Sequence, residues 1–421
     1  MEALSSDILQ TKYALDTFYF LVMGAFVMWM AAGFAMLEGG LVRSKNTAEI
    51  LTKNIVLYAI SCVMYMFVGY NIMYGTADPN WIPDLSFGLG ADNDPKAVLA
   101  GGDGAPYYAK MADFFFQVVF VATAMSIVSG AIAERMKLWS FFAFAVVMTG
   151  FIYPIQGMWK WGGGFLDAQG FVDFAGSGVV HMCGAAAALA AVLLLGARKG
   201  KYGKNGEVNA IPGSNMPMAT LGTFILWLGW FGFNGGSELK VSDIAEANSV
   251  ALVFVNTNMA AAGGAIVALI VSRLWFGKAD LTMALNGALA GLVSITAQPL
   301  TPSPELATLI GGIGGMLVVA SIITLDRTFK LDDPVGAISV HGVCGIWGLL
   351  AVCLSDPTAH LGSQLLGIGV IFAWVFTASF ATWFIIKAVV GIRVSEEEEY
   401  EGLDVSECGL EAYPEFSTSK K

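Results

Sequence analysis

The chain has 421 residues, of which 56% are hydrophobic and only 13% charged, whereas an average soluble domain carries roughly 25% charged residues. This composition excludes an ordinary soluble domain, and with a formal charge of −11 no nucleic-acid partner is expected. The acidity is concentrated, since nine Asp and Glu residues lie between Glu396 and Glu415, beyond the last apolar run.

In chain order, apolar stretches long enough to cross about 30 Å of hydrocarbon occur near 18–38, 54–74, 113–133, 138–157, 174–196, 216–235, 248–271, 281–298, 305–325, 334–354 and 363–390. They predict an all-α polytopic membrane protein with about eleven transmembrane helices. The 50 glycines suit helices that approach closely in lipid. The first run follows an acidic leader, Met1 to Thr17, with no clear cleavage site behind it, and so reads as a retained helix and not a secretory signal. The longest connection, roughly Gly75 to Lys110, is rich in Gly, Asp and Pro and leaves no room for a catalytic domain. Neither a nucleotide fingerprint nor a nucleophile–base pair stands out, and the chain is not expected to be an enzyme.

Cytoplasmic loops hold the excess of Lys and Arg. One set of alternating loops contains Arg43, Lys45, Lys53, Arg135, Lys137, Arg198, Lys199, Lys201, Lys204, Arg273, Lys278, Arg327 and Lys330, with Lys387, Arg393, Lys420 and Lys421 at the C-terminal end. The other set holds only Lys12, Lys96, Lys110, Lys160 and Lys240. This asymmetry predicts an external N-terminus and a cytoplasmic C-terminus.

An internal repeat locates the candidate site. Asp173-Phe-Ala-Gly-Ser-Gly-Val-Val-His181 matches Asp333-Pro-Val-Gly-Ala-Ile-Ser-Val-His341 in its leading Asp, the Gly three residues on, and the Val-His eight residues on. The first copy opens the fifth span and the second opens the tenth, so they enter from opposite faces. The pattern predicts inverted halves of five helices, about 18–196 and 216–354, plus an extra helix at about 363–390, the whole forming a transmembrane domain over 1–390. Eight residues at about 1.5 Å each carry each His roughly 12 Å below its own surface, which makes the two imidazoles neighbours near the midplane. Read singly, each would be an isolated core His; the matched, inverted spacing favours a pathway, where ionisable groups in a membrane usually lie. A metal is not expected: Cys183 falls about 200° around the helix from His181, and two imidazoles with Cys344 make an incomplete zinc set. No cofactor is implied. Asp173 and Asp333 read as caps for the helices behind them, and Asp173, on the external side, also favours a nearby cation.

At this point the residues resemble the ammonium transporter family (Amt/Mep/Rh). The resemblance covers nearly the whole chain, through Ala32-Gly-Phe-Ala-Met-Leu-Glu38-Gly-Gly-Leu-Val-Arg-Ser-Lys-Asn46, Asp173-Phe-Ala-Gly with His181, Trp230-Phe-Gly-Phe-Asn-Gly-Gly-Ser237, Asp332-Asp-Pro and His341-Gly-Val-Cys-Gly. It implies a homotrimer with one pore per subunit. It also implies an external ammonium site at Phe120, Trp161 and Ser237, assisted by Asp173. A gate of stacked rings, Phe120 over Phe233, would follow. Trp230 joins the twin-His pore by the same resemblance, and Asn234 joins Asp333 as a structural residue. The implied mechanism recruits NH4+, strips its proton near the gate and passes NH3 along His181 and His341, with or without coupled proton movement.

The segment 391–421 resembles the family's cytoplasmic regulatory tail, with Cys408 where His is usual. By composition alone, its run of four Glu reads as a solvated, flexible segment. The resemblance implies a tail that docks on the cytoplasmic face and a PII-type nitrogen signal protein as partner. The short loops and the tail suggest a bacterial inner membrane. Two alternatives stand beside transport: an ammonium sensor acting through a separate partner, and an Rh-like channel for neutral gas, which Trp161 and Ser237 disfavour.

Overall fold

The computed structural model describes residues 2–75, 81, 83, 85–102 and 104–416, and these are nearly all helical. Among the described residues there is no strand, and β-type pairing is limited to two isolated bridges, Met136 with Arg393 and Tyr202 with Val208. Among the same residues, nine helices are long and apolar enough to cross a membrane. Two shorter apolar helices fall where two further expected runs lie. In chain order these are α1 (Ser6–Leu41), α2 (Ser44–Tyr74), α3 (Lys110–Ala131), α4 (Leu138–Ala168), α5 (Ser177–Leu195), α6 (Met216–Gly235), α7 (Ile244–Phe276), α8 (Leu281–Thr296), α9 (Pro304–Arg327), α10 (Ile338–Leu354) and α11 (Leu361–Val389).

Several boundaries differ from the sequence expectation, each for a physical reason. Helix α2 starts ten residues early because Glu49 and Lys53, one turn apart, neutralise each other at 2.6 Å while both are buried. Lys53 is therefore a helix residue, its ammonium 5.6 Å over the Phe141 ring, and not a loop cation. Helices α5 and α10 start late, because Asp173 and Asp333 stand off in the preceding loops. From there their carboxylates accept backbone N–H bonds of the first turn: Gly178 at 2.9 Å and Val179 at 2.8 Å for Asp173, Gly336 at 3.0 Å and Ile338 at 2.7 Å for Asp333. Lys420 and Lys421 lie outside the described residues.

Backbones meet directly along α7, α8 and α9. A Cβ on Gly264 would collide with the Gly287 carbonyl, and one on Gly315 with the Gly264 carbonyl, the small-residue contact that lets lipid-embedded helices pack closely. Helices α3 and α5 are the most enclosed, with 83% of each apolar window buried, and α11 the least, with 22%. The centre of the molecule is thus walled by α3 and α5. Wide π-helical turns open α5 at Ser177–Met182 and α10 at Ile338–Val343 and close α6 at Phe231–Gly235. Such turns hold one residue more than an α turn and recur at functional sites.

The C-terminal segment is folded, in contrast to what its composition suggests. Its helices, α12 (Glu396–Glu401) and α13 (Leu403–Cys408), pack under the bundle. The Asp404 carboxylate accepts from the Glu49 backbone N–H at 2.8 Å, capping α2 from outside, while Glu407 accepts from Leu138 N at 3.2 Å at the start of α4. The Leu403 N–H donates to Asn46 Oδ1 at 2.9 Å, and the Lys45 ammonium donates to the Tyr400 carbonyl. Cys408 Sγ lies 3.7 Å from Thr52 Oγ1.

Candidate functional site

His181, on the π turn of α5, and His341, on that of α10, meet in the interior. Their Nδ1 atoms are 3.1 Å apart, and the rings, 5.1 Å between centroids, are nearly parallel at 18°. The Trp230 ring stacks on His181 at 4.9 Å and 15°. Its indole N–H donates to Thr296 Oγ1 at 2.8 Å, which fixes the ring plane. Phe233 lies 5.2 Å from His181 on the outer side, and Phe34 6.2 Å from His341 on the inner side. Nε2 of His181 is buried without a partner among the described residues. The setting is therefore a narrow apolar slot whose central polar groups are two imidazoles.

Phe120 and Phe233 close the outer end of this slot, their rings 4.1 Å apart and tilted by 31°. Beyond Phe120 opens a vestibule of about 340 Å3, with Phe120, Trp161 and Ser237 on its wall together with Asp113, Gln117 and Tyr108. Trp161 lies edge-on to Phe120 at 5.9 Å. Its indole N–H is engaged by the Asp173 backbone carbonyl at 2.9 Å, so the face of the ring is what remains for a guest. Gly176 makes room for that indole: its φ is 107°, and a Cβ there would come within 3.0 Å of the Trp161 ring. Ser237 Oγ donates to the Phe233 carbonyl at 2.8 Å, which leaves the oxygen lone pairs free to accept.

The remaining sequence candidates sit apart from the vestibule. Asp173 is buried beneath the Trp161 loop and does not line the cavity; one carboxylate oxygen caps α5 and the other has no partner among the described residues. Asp333 caps α10 at the opposite end. Asn234 donates to Thr257 Oγ1 at 2.9 Å, tying α6 to α7.

Inward of His341 the space shrinks to about 10 Å3, bordered by Phe34, Val335 and Glu38, at the lower limit for a single water. Glu38 is buried and accepts from Asn54 Nδ2 at 2.8 Å and Ser129 Oγ at 2.7 Å. Sequence reasoning used Glu38 only as part of a motif and missed Asp113 and Gln117. For the last two the signal was available, because residues 113, 117 and 120 recur at helical spacing on one face of α3.

The inner face carries an ion cluster. Arg198 holds Asp332 through two nitrogens, at 2.9 and 2.8 Å, and reaches Glu134 at 3.1 Å, while Arg43 meets Glu134 at 2.7 Å. Burial works against the charge on Asp332, but the Arg198 hydrogen bonds and the charges of Arg135 and Arg198 outweigh it and hold the carboxyl well below the usual range. Glu134 is likewise lowered against its burial, by Arg198 and Arg43.

Residues 18–413 match the Ammonium Transporter Family. The chain is 42% identical to ammonium transporter Amt2 of Archaeoglobus fulgidus over 95% of its own length and 88% of that protein's. It is 36% identical to ammonium transporter Amt1 of Haloferax mediterranei, over 94% and 79%. Among solved structures it superposes on one named "Sensor Amt Protein" with a TM-score of 0.87, at 37% identity, covering 94% of this chain and 99% of that one.

Proposed function

The chain belongs to the ammonium transporter family, a multi-pass membrane protein by its helices, and from that premise we propose that it recruits NH4+ in the vestibule, removes its proton and conducts NH3 through the twin-His slot. The observation that carries this reading is the continuous order of parts: a cavity with an indole face and a free hydroxyl oxygen, then a closed phenyl pair, then two imidazoles in apolar walls. A small cation gains roughly 0.5–2 kcal/mol over an aromatic face, and Ser237 accepts one of its N–H bonds. Asp173 assists from behind the indole through its unpartnered oxygen. The phenyl gate excludes a water column, and an unpaired charge in the dry slot costs several kcal/mol. NH4+ avoids that cost by deprotonation, whereas K+ cannot.

The basic loops support a cytoplasmic tail face. Lys45, Lys199 and Arg393 bond to the C-terminal segment, whereas Lys110 and Lys240 border the cavity outside the vestibule. The near-identical caps at Asp173 and Asp333 support inverted halves. Exposed apolar side chains such as Phe224 on α6 and Ile266 on α7 offer surface to lipid or to neighbouring copies in a homotrimer. The docked acidic tail beside the inner end of the slot suits regulation, with a PII-type signal protein as its partner at a bacterial inner membrane.

The released proton passes to water in the vestibule or crosses with NH3, so proteoliposome flux of NH3, followed by internal pH, tests the proposal, and electrophysiology beside it reads whether the proton also crosses. Ammonium and methylammonium evoke flux and potassium does not; equal potassium flux, or none for ammonium, refutes it. Because one similar solved structure is named a sensor, a second reading is ammonium sensing through a partner, and absent flux with retained ammonium binding would favour it.

A further inference from the structure

Outside the vestibule lies a second, larger cavity of about 720 Å3. The two cavities have two wall residues in common, Tyr108 and Asp113. Asp113 sits in the first turn of α3, two helical turns and roughly 10 Å outward of Phe120 on the same face. It is only 8% exposed. Tyr70 donates its hydroxyl to Asp113 Oδ2 at 2.6 Å, and Gln117 donates Nε2 to Oδ1 at 3.3 Å. An ionised carboxylate offers about four acceptor positions, so two remain after these bonds.

Among the described residues no cation pairs with Asp113, although charged groups surround it. Lys110 Nζ donates to the Leu89 carbonyl at 2.6 Å, and Lys240 pairs with Glu246 at 2.6 Å. Asp16 accepts from Val241 N at 2.8 Å and Ser242 Oγ at 2.7 Å, and Asp243 caps α7 through Glu246 N at 3.0 Å. A buried carboxylate with spare acceptors, at the junction of two water-accessible cavities and beside a phenol ring, matches a small cation that carries N–H donors.

We propose that Asp113 and Tyr108 form an outer binding position for ammonium or a small alkylammonium ion, which then passes inward to Trp161. The inference rests on the vestibule being the entrance. A purely structural Asp113 would act as a first-turn acid on the helix dipole. That role predicts a loss of stability but no charge-dependent change in substrate affinity.

The test uses the full chain in proteoliposomes, comparing ammonium-evoked currents of the wild type, Asp113→Asn, Asp113→Glu and Tyr108→Leu at low and high ionic strength. Asp113→Asn is expected to raise KM roughly three- to tenfold at low salt, with a smaller change in maximal current, because a carboxylate at a cleft mouth concentrates cations. Asp113→Glu keeps KM within about twofold of the wild type, and the Asn defect shrinks at high salt as the charge is screened. An unchanged KM in Asp113→Asn, a defect of equal size in Asp113→Glu, or a defect indifferent to salt overturns the outer position. Should Asp113→Asn fail to fold, Tyr108→Leu with an unaltered KM overturns it instead. A wild type with neither ammonium-evoked current nor NH3 uptake, read as a pH change inside the vesicles, refutes the transport reading separately. The outer position is then judged by calorimetric titration of methylammonium, where an Asp113→Asn Kd equal to the wild-type value overturns it.

Discussion

Nδ1 of His181 and Nδ1 of His341 face each other at 3.1 Å in a buried slot. Two like atoms at that distance make a hydrogen bond only if one carries the proton and the other is bare. The pair is consequently polarised, and the outward Nε2 of one ring differs in protonation from that of its neighbour.

Replacing either imidazole leaves its partner's ring nitrogen unpaired, at a cost of about 1–3 kcal/mol. His181→Ala or His341→Ala is therefore expected to lower ammonium current about tenfold or more, or to admit potassium. Solid-supported-membrane currents with both ions measure this, and unchanged selective current in the double variant would remove the twin-His route.

The phenyl pair should govern what else gets through. Phe233→Ala opens the 4.1 Å ring contact with Phe120 and lets water reach His181. A potassium leak clearly above the wild-type background is the expected result in a vesicle flux assay, with ammonium flux retained; a variant as tight as the wild type would assign selectivity elsewhere.

On the inner face, Asp332 is the anion between two buried guanidiniums. Asp332→Ala takes from Arg198 its two-nitrogen partner and leaves it Glu134 alone, and breaking a buried pair in this way costs up to about 3–5 kcal/mol, which thermal unfolding in detergent would record as a drop in Tm. The pH dependence has a definite sign. Because the folded-state carboxyl is held well below its ordinary value of about 3.9, its contribution is full above pH ~4 and fades as pH falls further toward the folded-state value. Asp332→Asn should flatten this part of the acid-stability profile.

The latch of the tail is testable through one cap. Asp404→Ala removes the acceptor for the Glu49 N–H and is expected to cost about 1 kcal/mol. Hydrogen exchange should quicken at 47–49 and along 396–408, whereas Asp404→Asn, which keeps a carbonyl oxygen, should remain near the wild type. Unaltered exchange in Asp404→Ala would show that other contacts hold the segment.

Much of this was legible in the sequence. Apolar runs set the order of the helices, and the spacing Asp-x7-His placed His181 beside His341 because side chains entering to equal depth from opposite faces must meet. Charge patterning misled at Lys53, since a window of hydropathy counts an ion-paired Lys as a loop residue; its partner Glu49 lies one turn away on the same face. Composition also misled in the tail: four consecutive Glu predict solvation, yet Glu399 is buried because Arg393 and the Lys199 backbone N–H take up its oxygens. The Arg198–Asp332 pair joins residues 134 positions apart and left no local trace. Asp113 was readable in principle, but a first-turn acid has an ordinary explanation and draws no notice until a cavity is seen beside it.

His181, Phe233 and His341 all sit on the widened turns described above. Deleting one residue from any of these turns would restore a plain α-helix of almost unchanged composition, while swinging everything downstream about 100° around its axis. If the proposed route is right, it depends on three single-residue insertions that align side chains, and an in-frame loss of one amino acid is expected to abolish conduction while leaving a well-folded, fully apolar bundle.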